Sequence, residues 1–332
     1  MSRVRVLGSL AAVASVALVV GLMCWPRLQT PAGRWDAARA HGRVTRQSAR
    51  ADTVAHTSAR SCDPTASLRP MGPPVVASGS FMAKIRTRGY LIAGVDQSTY
   101  HFGYLNPFDG QLQGFDIDMV RAVAQAIFGN PDKVRFVVVS DAQRLPALQS
   151  GAVDIVAHTM TITCARWRYV DFSTVYFNAQ QRVLLLRSSP YAAMIDVLVN
   201  DGKVCATTGS TSLATVRAIA ANLVGIGSAR LSVAVPYWTD CLVLLQQGAV
   251  AAISTDDSIL AGLAAQDPFT KIVGLSLSGE PYGLAISNQH PDFVRFVNAV
   301  LARMRSDGQW AAIYKRWIGS PVPSPPAAHY QG

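Results

Sequence analysis

The chain has 332 residues, half of them hydrophobic, which is enough for one or two domains with buried cores. The formal net charge is +10, but the first 70 residues hold ten arginines against three aspartates and so carry +7 of that charge. Because this basicity is confined to a tail and no DNA- or RNA-binding motif accompanies it, the composition argues against a nucleic-acid-binding protein.

The N-terminus has the pattern of an export signal. Arg3 and Arg5 precede an uncharged run over residues 6–25, about the length that crosses a bilayer. We therefore expect residues 1–26 to act as a signal or membrane anchor. Three outcomes stay open: a lipid attached to Cys24, an uncleaved helical anchor, or a cleaved signal with no anchor.

The segment that follows is poor in large apolar side chains. Residues 27–80 consist mainly of Arg, Ala, Ser, Thr, Gly and Pro. Such a composition buries too little surface to offset the entropy lost on ordering, so we predict a disordered stalk. The Pro-rich residues 320–332 are predicted to form a flexible tail.

Four further cysteines, at positions 62, 164, 205 and 241, suit disulfides in an oxidising compartment. No C-x-x-C pair or nearby histidine gives the spacing of a zinc site, so metal binding is not expected. Four cysteines allow three pairings, and the sequence alone does not choose among them.

Strands and helices alternate from residue 81 onward. A short helix from residue 81 ends at Gly89, and we predict further helices over 119–128 and 144–150 and strands over 90–95, 134–139 and 153–157. The order β-α-β-α-β indicates a parallel sheet with helices on its faces. Ligands usually bind where the carboxyl ends of such strands meet the following loops.

A similar unit begins at Lys203. We predict strands over 204–207, 231–235 and 250–254, and helices over 212–222, 240–247 and 257–264. Two more helices, over 291–306 and 309–318, close the folded region. Two α/β lobes with a cleft between them are the simplest arrangement of these elements.

Polar residues follow one strand of the first unit. Thr159 and Thr161 leave the strand at alternate positions, and Arg166 comes about one turn later. Hydroxyl groups, backbone N–H groups and a planar guanidinium can together hold a carboxylate. Taken singly, each residue also fits a strand end or a surface arginine.

The second unit offers complementary groups. Thr211 stands at a helix start, where exposed N–H groups bind anions, although threonine also caps helices in general. Asp256 could receive an ammonium group or simply cap the next helix. Because burial of a zwitterion requires partners for both charges, the combined set favours an α-amino acid as ligand.

The order of these segments resembles the polar amino-acid family of ABC-transporter solute-binding proteins. The resemblance extends over about residues 81–319 and is strongest to mycobacterial glutamine-binding lipoproteins. The segments that carry it, in chain order, are 114–118, 144–154, 159–166, 171–176, 209–211 and 251–257.

The resemblance implies a periplasmic-binding-protein-like (type II) α/β fold, with two α/β lobes joined by a two-strand hinge. Lobe 1 would comprise residues 81–184 and 285–319, and lobe 2 residues 185–284. It also implies a monomer without cofactor or metal. Disulfides would link Cys62 to Cys164 and Cys205 to Cys241, because those relatives carry cysteines at the first two positions.

Roles for individual residues follow from the same resemblance. Arg166 would hold the ligand α-carboxylate, with the N–H groups of Thr161 and Thr211, while Thr159 and Asp256 would hold the α-ammonium.

The resemblance also assigns the ligand side chain. Arg144 occupies the position that contacts the side-chain carboxylate in glutamate- and aspartate-binding members. A cation at a helix start is unfavourable unless an anion is close, so we expect an acidic amino acid first and the amides next. Tyr100 is expected to form an aromatic wall against the ligand.

The function implied is an extracytoplasmic receptor, held at the outer face of the membrane by its N-terminus. It would deliver an amino acid to an ABC permease by hinge closure. The alternative is a sensor that presents its closed form to a membrane signalling protein. An enzyme on the same scaffold is disfavoured because the amino-acid-binding set is complete and no further catalytic domain is evident.

Overall fold

The computed structural model describes residues 62–224 and 228–331. The predicted signal or anchor, Cys24 and residues 27–61 of the predicted stalk lie outside the described residues. Within the described part of the chain, no helix combines the length and the apolar composition needed to span a membrane.

The strands follow the predicted alternation, with additional short strands in lobe 1. In chain order they are β1 (Leu91–Val95), β2 (Ser98–Thr99), β3 (Gly103–Leu105), β4 (Leu112–Gln113), β5 (Val134–Val138), β6 (Ile155–Ala157), β7 (Val170–Phe172), β8 (Phe177–Leu186), β9 (Val204–Thr207), β10 (Ser232–Val235), β11 (Ala252–Asp256), β12 (Thr270–Val273), β13 (Gly279–Tyr282) and β14 (Ala285–Ser287).

The α-helices lie close to the predicted positions, except for the helix Met194–Val199, which was not predicted. They are α1 (Phe81–Arg88), α2 (Phe115–Phe128), α3 (Arg144–Gln149), α4 (Met194–Val199), α5 (Thr211–Val224), α6 (Trp238–Gln246), α7 (Asp257–Gln266), α8 (Pro291–Ser306) and α9 (Gln309–Trp317). Short 3-10 turns cover Arg166–Arg168 and Ser228–Leu231. Glycines in the left-handed conformation, such as Gly129 at φ +70°, end helices as expected.

Lobe 1 is built on a five-stranded sheet in the order β5-β1-β6-β14-β7. β1 is parallel to β5 and β6, whereas β14 is antiparallel to β6 and β7. Apolar residues of α2, α8 and α9 pack with β1 in one buried cluster, and Leu148 of α3 packs in another. The predicted β-α-β-α-β unit is therefore present, and its strands end at the same edge of the sheet.

Lobe 2 repeats this plan with a sheet in the order β10-β9-β11-β8-β12. β9 is parallel to both β10 and β11, while β8 is antiparallel to β11 and β12. α6 and α7 pack in one buried cluster, and α4 and α5 in another. The helices thus lie on both faces of this sheet as well.

Two neighbouring strands connect the lobes. β8 begins in the lobe 1 core, where Ala179 packs, and continues into the lobe 2 core, where Val183 packs. β13 pairs antiparallel with its first half and returns the chain to lobe 1. The pair forms the two-strand hinge.

The crossings fall earlier than the predicted boundaries at residues 184/185 and 284/285. Val183 and Leu184 already pack in lobe 2, and Tyr282 and Leu284 already pack in lobe 1. The crossing in β8 falls on the polar residues 180–182, between Ala179 in lobe 1 and Val183 in lobe 2.

The prediction of disorder is wrong for residues 62–80, since this segment packs along lobe 1. Ser67 is fully buried, donates through Oγ to the Phe172 carbonyl at 2.6 Å and accepts from Asn298 Nδ2 at 2.8 Å. Trp167 Nε1 donates to the Pro64 carbonyl at 2.8 Å. Hydrogen bonds to the folded lobe, together with the packing of Leu68 and Val76 on its core, order this segment.

The flexible tail is likewise wrong for residues 320–331. Ser67 forms a parallel bridge with Tyr330, and the Gln331 N–H donates to the Ser67 carbonyl at 2.9 Å. Arg305 Nε donates to the Pro326 carbonyl at 2.9 Å. The two ends of the described chain therefore lie together on lobe 1.

Candidate functional site

A small buried cavity lies between the lobes and is lined by polar residues from both. Its volume is about 10 Å³, room for about one water molecule. The lining residues are Asp141, Arg144, Thr159, Thr161 and Arg166 from lobe 1, and Ser210, Thr211, Ser212, Trp238, Thr255, Asp256 and Ile259 from lobe 2. Six of the seven predicted ligand residues meet here, and Tyr100 does not.

Thr159 is held in place by a buried carboxylate of α2. It follows β6 with φ +41°, a left-handed conformation that is uncommon for a β-branched residue. Its N–H donates to Asp116 Oδ2 at 2.8 Å, and the Tyr176 hydroxyl donates to Asp116 Oδ1 at 2.5 Å. Burial raises the pKa of Asp116 to about 6 despite these bonds. Asp116 thus fixes the loop that carries the site threonines.

Arg166 is buried and satisfied only in part by the protein. Nη1 donates to the Thr161 carbonyl at 2.6 Å, and Nη2 to the Gly209 carbonyl of lobe 2 at 3.2 Å. Burial, together with the nearby guanidinium of Arg144, lowers its pKa to about 9, so it stays protonated at neutral pH. Among the described carboxylates, none forms an ion pair with it.

Arg144 is equally buried but has a counter-ion. Nη1 lies 2.9 Å from Asp141 Oδ1, and Nε donates to the Asp141 carbonyl at 3.0 Å. Nη1 also donates to the His158 carbonyl at 3.0 Å, and Nη2 to the Gly209 carbonyl at 3.4 Å. The expectation of an acidic ligand assumed that Arg144 needs a further anion, and Asp141 already supplies one.

Asp141 was missed by the sequence analysis, although its position three residues before Arg144 is a typical ion-pair spacing. Its Oδ2 accepts a hydrogen bond from the Thr207 hydroxyl of lobe 2. Burial alone would raise the pKa of Asp141, but the charges of Arg144, His158 and Arg166 and the hydrogen bond from Thr207 together outweigh burial and lower it. His158 Nδ1 lies 3.5 Å from Asp141 Oδ1, and Nε2 donates to the Val139 carbonyl at 2.9 Å.

The turn before α5 brings lobe 2 against these arginines. Gly209 has φ +88°, and a Cβ there would lie 2.8 Å from the Ala142 Cα of lobe 1. The Ser210 hydroxyl accepts from the Leu213 N–H at 3.1 Å and so caps α5. A glycine is required here both for the backbone conformation and for the close approach of the lobes.

Asp256 ends β11 and is fully buried. The Tyr282 hydroxyl donates to its Oδ2 at 2.5 Å. Its Oδ1 has no hydrogen-bond partner in the part of the chain that the structure describes. Burial and the nearby negative charge of Glu280 raise its pKa well above the usual range. Although Asp256 precedes α7, its side chain makes no capping hydrogen bond.

Glu280 is a second residue that the sequence analysis missed. It lies on β13, is buried, and accepts from the Thr161 hydroxyl at 2.7 Å and the Thr211 hydroxyl at 3.0 Å through the same oxygen. One threonine belongs to each lobe. Because the hydroxyl groups of Thr161 and Thr211 donate their protons to Glu280, the two threonine hydroxyl oxygens can still accept hydrogen bonds from other groups. No local pattern marks Glu280, which lies 119 residues from Thr161.

The aromatic residue at the cavity is Trp238, not Tyr100. Tyr100 packs against His101 and Tyr104, with ring centroids 4.2 and 4.9 Å away, and its backbone approaches Gly262 of α7. Trp238 is buried, and its indole N–H has no partner among residues 62–224 and 228–331. Tyr100 is therefore an interlobe contact outside the cavity.

Both predicted disulfides are confirmed. Cys62 is bonded to Cys164, which ties the start of the described chain to the loop before Arg166. Cys205 is bonded to Cys241 and links β9 to α6 within lobe 2. These bonds fit an oxidising compartment.

Comparison with known proteins places the chain in a family. The model of the bacterial extracellular solute-binding proteins, family 3, matches residues 91–320. The ABC transporter glutamine-binding protein GlnH of Bacillus subtilis is 34% identical over 71% of this chain and 84% of its own length. The glutamine-binding protein of Geobacillus stearothermophilus is 32% identical over 66% of this chain and 80% of its own.

A solved structure agrees with this placement. An ancestral arginine-binding protein bound to glutamine superimposes with a TM-score of 0.64 at 33% identity, covering 70% of this chain and 99% of its own. The two-lobed α/β architecture described above is that of the type II binding proteins. The chain belongs to the bacterial extracellular solute-binding proteins of family 3.

Proposed function

We propose that the protein is an extracytoplasmic receptor that binds a polar amino acid and delivers it to an ABC permease. One observation supports this most directly. Within the part of the chain that the structure describes, Arg166 is a buried guanidinium that forms no ion pair and Asp256 Oδ1 is a buried carboxylate oxygen without a hydrogen-bond partner, and both residues line one cavity between the lobes. These two groups complement the two charges of an α-amino acid.

The carboxylate end of the ligand would lie against Arg166. Two of its nitrogens donate to backbone carbonyls, which leaves the Nε–H and further Nη protons for a ligand. Charge-assisted bonds to a carboxylate are about twice as strong as neutral ones. Thr161 and the start of α5 at Thr211 would complete this end with backbone N–H groups.

The ammonium end would lie against Asp256 Oδ1 and Thr159. Thr161 and Thr211 would assist, since their hydroxyl protons are donated to Glu280 and their lone pairs remain free to accept. A cationic group at this point also stabilises the ionised form of Asp256, whose pKa burial raises. An uncharged ligand group would not offset the burial of that charge.

Binding would be coupled to motion of the lobes. A cavity of about 10 Å³ is far smaller than an amino acid, so entry requires separation of Arg144 and Arg166 from the Gly209 carbonyl. The crossing strands β8 and β13 are where such motion would occur. A ligand that contacts both lobes favours the closed form, which a permease then recognises.

Calorimetric titration of the full-length protein with glutamine, asparagine, glutamate and aspartate tests this proposal. We expect saturable 1:1 binding of at least one of them. Absence of binding for all four, with the protein shown to be folded by circular dichroism, would refute the amino-acid proposal. Uptake of the bound amino acid by cells that lack and then regain the protein tests delivery to a permease separately.

A further inference from the structure

We propose that Asp141 determines specificity for the ligand side chain: by neutralising Arg144, it makes the site select an amide side chain over an acidic one. The inference rests on the proposed amino-acid function and adds the class of ligand. It reverses the order of preference that the resemblance implies, in which Arg144 acts as an uncompensated cation.

Asp141 is built into the cavity and is not a surface residue. Its carboxylate lines the cavity, is 7% exposed as a residue, and is engaged on both oxygens. Oδ1 contacts Arg144 at 2.9 Å, and Oδ2 accepts from Thr207 of the opposite lobe. Its lowered pKa keeps it charged at neutral pH. The pair therefore presents a fixed cation and a fixed anion side by side.

The donor groups of Arg144 are also largely used. All three guanidinium nitrogens donate to backbone carbonyls of Asp141, His158 and Gly209. A bidentate clamp on a second carboxylate requires two parallel N–H groups free of other partners. Arg144 is consequently suited to a single hydrogen bond to a carbonyl oxygen, whereas Arg166 retains its Nε–H.

Charge balance leads to the same result. With Arg166 assigned to the α-carboxylate and Asp256 to the α-ammonium, the Arg144–Asp141 pair contributes no net charge for the ligand side chain. The remaining buried carboxylate, Glu280, adds negative charge and so does not favour an acidic side chain either. An acidic side chain would bring an uncompensated negative charge into a buried site, next to Asp141. An amide brings none, and it offers a carbonyl oxygen to Arg144 and an NH₂ group to Asp141.

The test compares the dissociation constants of glutamine and glutamate for the full-length protein and its Asp141→Asn variant. We expect the wild-type protein to bind glutamine more tightly. Asp141→Asn keeps the shape of the side chain but leaves the charge of Arg144 without its counter-ion. The ratio of the glutamine and glutamate dissociation constants should therefore shift at least 30-fold in favour of glutamate, a change of about 2 kcal/mol. An unchanged ratio, or a wild-type protein that prefers glutamate, would overturn the inference.

A matched control is available in the same lobe. Asp154 is also buried and ion-paired, with Arg88, but it does not line the cavity. Asp154→Asn therefore makes the same change of charge away from the ligand and should leave the ratio unchanged. A shift as large in Asp154→Asn would mean that the effect is not local, and this would also count against the inference.

Further variants keep the inference testable if Asp141→Asn does not fold. Arg144→Gln leaves the negative charge of Asp141 unopposed and should raise the preference for glutamine over glutamate further. The double variant Arg144→Gln/Asp141→Asn removes both charges and should restore a ratio of dissociation constants near that of the wild type. Opposite shifts in these variants would refute the proposal. If the wild-type protein binds none of glutamine, asparagine, glutamate and aspartate, the proposed function fails; if it binds an amino acid but the ratio of amide to acid affinity does not move in the variants, only the role of Asp141 fails.

Discussion

The two ends of the interlobe cavity contain the same kinds of charge but treat them differently. At one end, Arg166 and Asp256 form no ion pair in the described structure and keep donor and acceptor capacity free. At the other, Arg144 and Asp141 neutralise each other at 2.9 Å. A buried charge therefore predicts an opposite charge on the ligand only where the protein does not already supply a counter-ion.

The pKa values of the two aspartates express this difference. Both are buried. Burial raises the pKa of Asp256, and the charge of Glu280 raises it further, whereas the positive charge of Arg144 lowers the pKa of Asp141. Substitution and pH should therefore affect ligand binding differently at Arg166 and Asp256, which form no ion pair in the described structure, and at Arg144 and Asp141, which neutralise each other.

The largest effect is expected for Arg166→Ala. Its loss leaves the ligand α-carboxylate buried without its main counter-charge, which costs about 2–5 kcal/mol, so binding should fall by about 30-fold to several thousand-fold for every amino acid. Calorimetry with glutamine and glutamate measures this. Arg168→Ala is the control, since Arg168 is exposed and lies only two residues away. If Arg166→Ala kept the wild-type affinity, Arg166 would not be the counter-charge of the ligand α-carboxylate, and the contrast with Arg144 would be wrong.

A smaller and ligand-dependent effect is expected for Arg144→Ala. Glutamate and aspartate should lose about 30-fold in affinity and glutamine only a few-fold, because Asp141 then repels an acidic side chain without compensation. The free energy of unfolding should fall by about 3–5 kcal/mol, since a buried ion pair is broken on one side only. Equal losses for acids and amides would remove Arg144 from any role toward the side chain.

The pH dependence of binding should arise from Asp256. Its raised pKa means that a proton occupies the carboxylate as the pH falls, and the ligand ammonium must displace that proton. Affinity should therefore fall with falling pH, by at most about tenfold per pH unit, with release of a proton on binding. Titrations in buffers of different ionisation enthalpy count this proton.

The variant Asp256→Asn provides the control for that measurement and should abolish the proton release. The unliganded protein should show the opposite trend in stability. Because the folded-state pKa of Asp256 is raised, its contribution is present at low pH and is lost as the pH rises through that folded pKa. Proton release that persists in Asp256→Asn would assign the coupling to another group.

The smallest effect is expected at Gly209, whose carbonyl contacts both arginines. In Gly209→Ala the new Cβ would approach the Ala142 backbone to 2.8 Å, so full closure becomes unfavourable and affinity should fall about fivefold. Gly248→Ala is a matched control in the same lobe, with φ +67° but open space around its Cβ. Both substitutions strain the backbone, because both glycines have positive φ. Only Gly209→Ala should impair closure of the lobes, which small-angle scattering with and without glutamine measures. Equal effects would exclude steric obstruction.

Much of the fold could be predicted from the sequence because its signals are local. Strand β9 and helix α8 begin and end at the predicted residues, and the periodic apolar positions of α2 and α6 gave those helices to within a few residues. Alternation of strands and helices predicted the parallel pairing of β1 with β5 and β6, whereas the antiparallel strands of both sheets were not predicted. The hinge crossings were misplaced because contacts distant in sequence decide in which lobe each apolar residue of β8 and β13 packs.

The two-lobed α/β architecture and the proximity of Thr159, Thr161 and Arg166 could be read from the sequence, because periodicity and spacing act within a few residues along the chain. Four features could be seen only in the folded protein: Asp141 compensates Arg144, Glu280 accepts from one threonine of each lobe, Trp238 and not Tyr100 lines the cavity, and the two ends of the described chain pack on lobe 1. Whether a buried charge is free or neutralised depends on groups that folding brings together, and contacts between residues far apart in the sequence leave no local pattern from which they could be predicted.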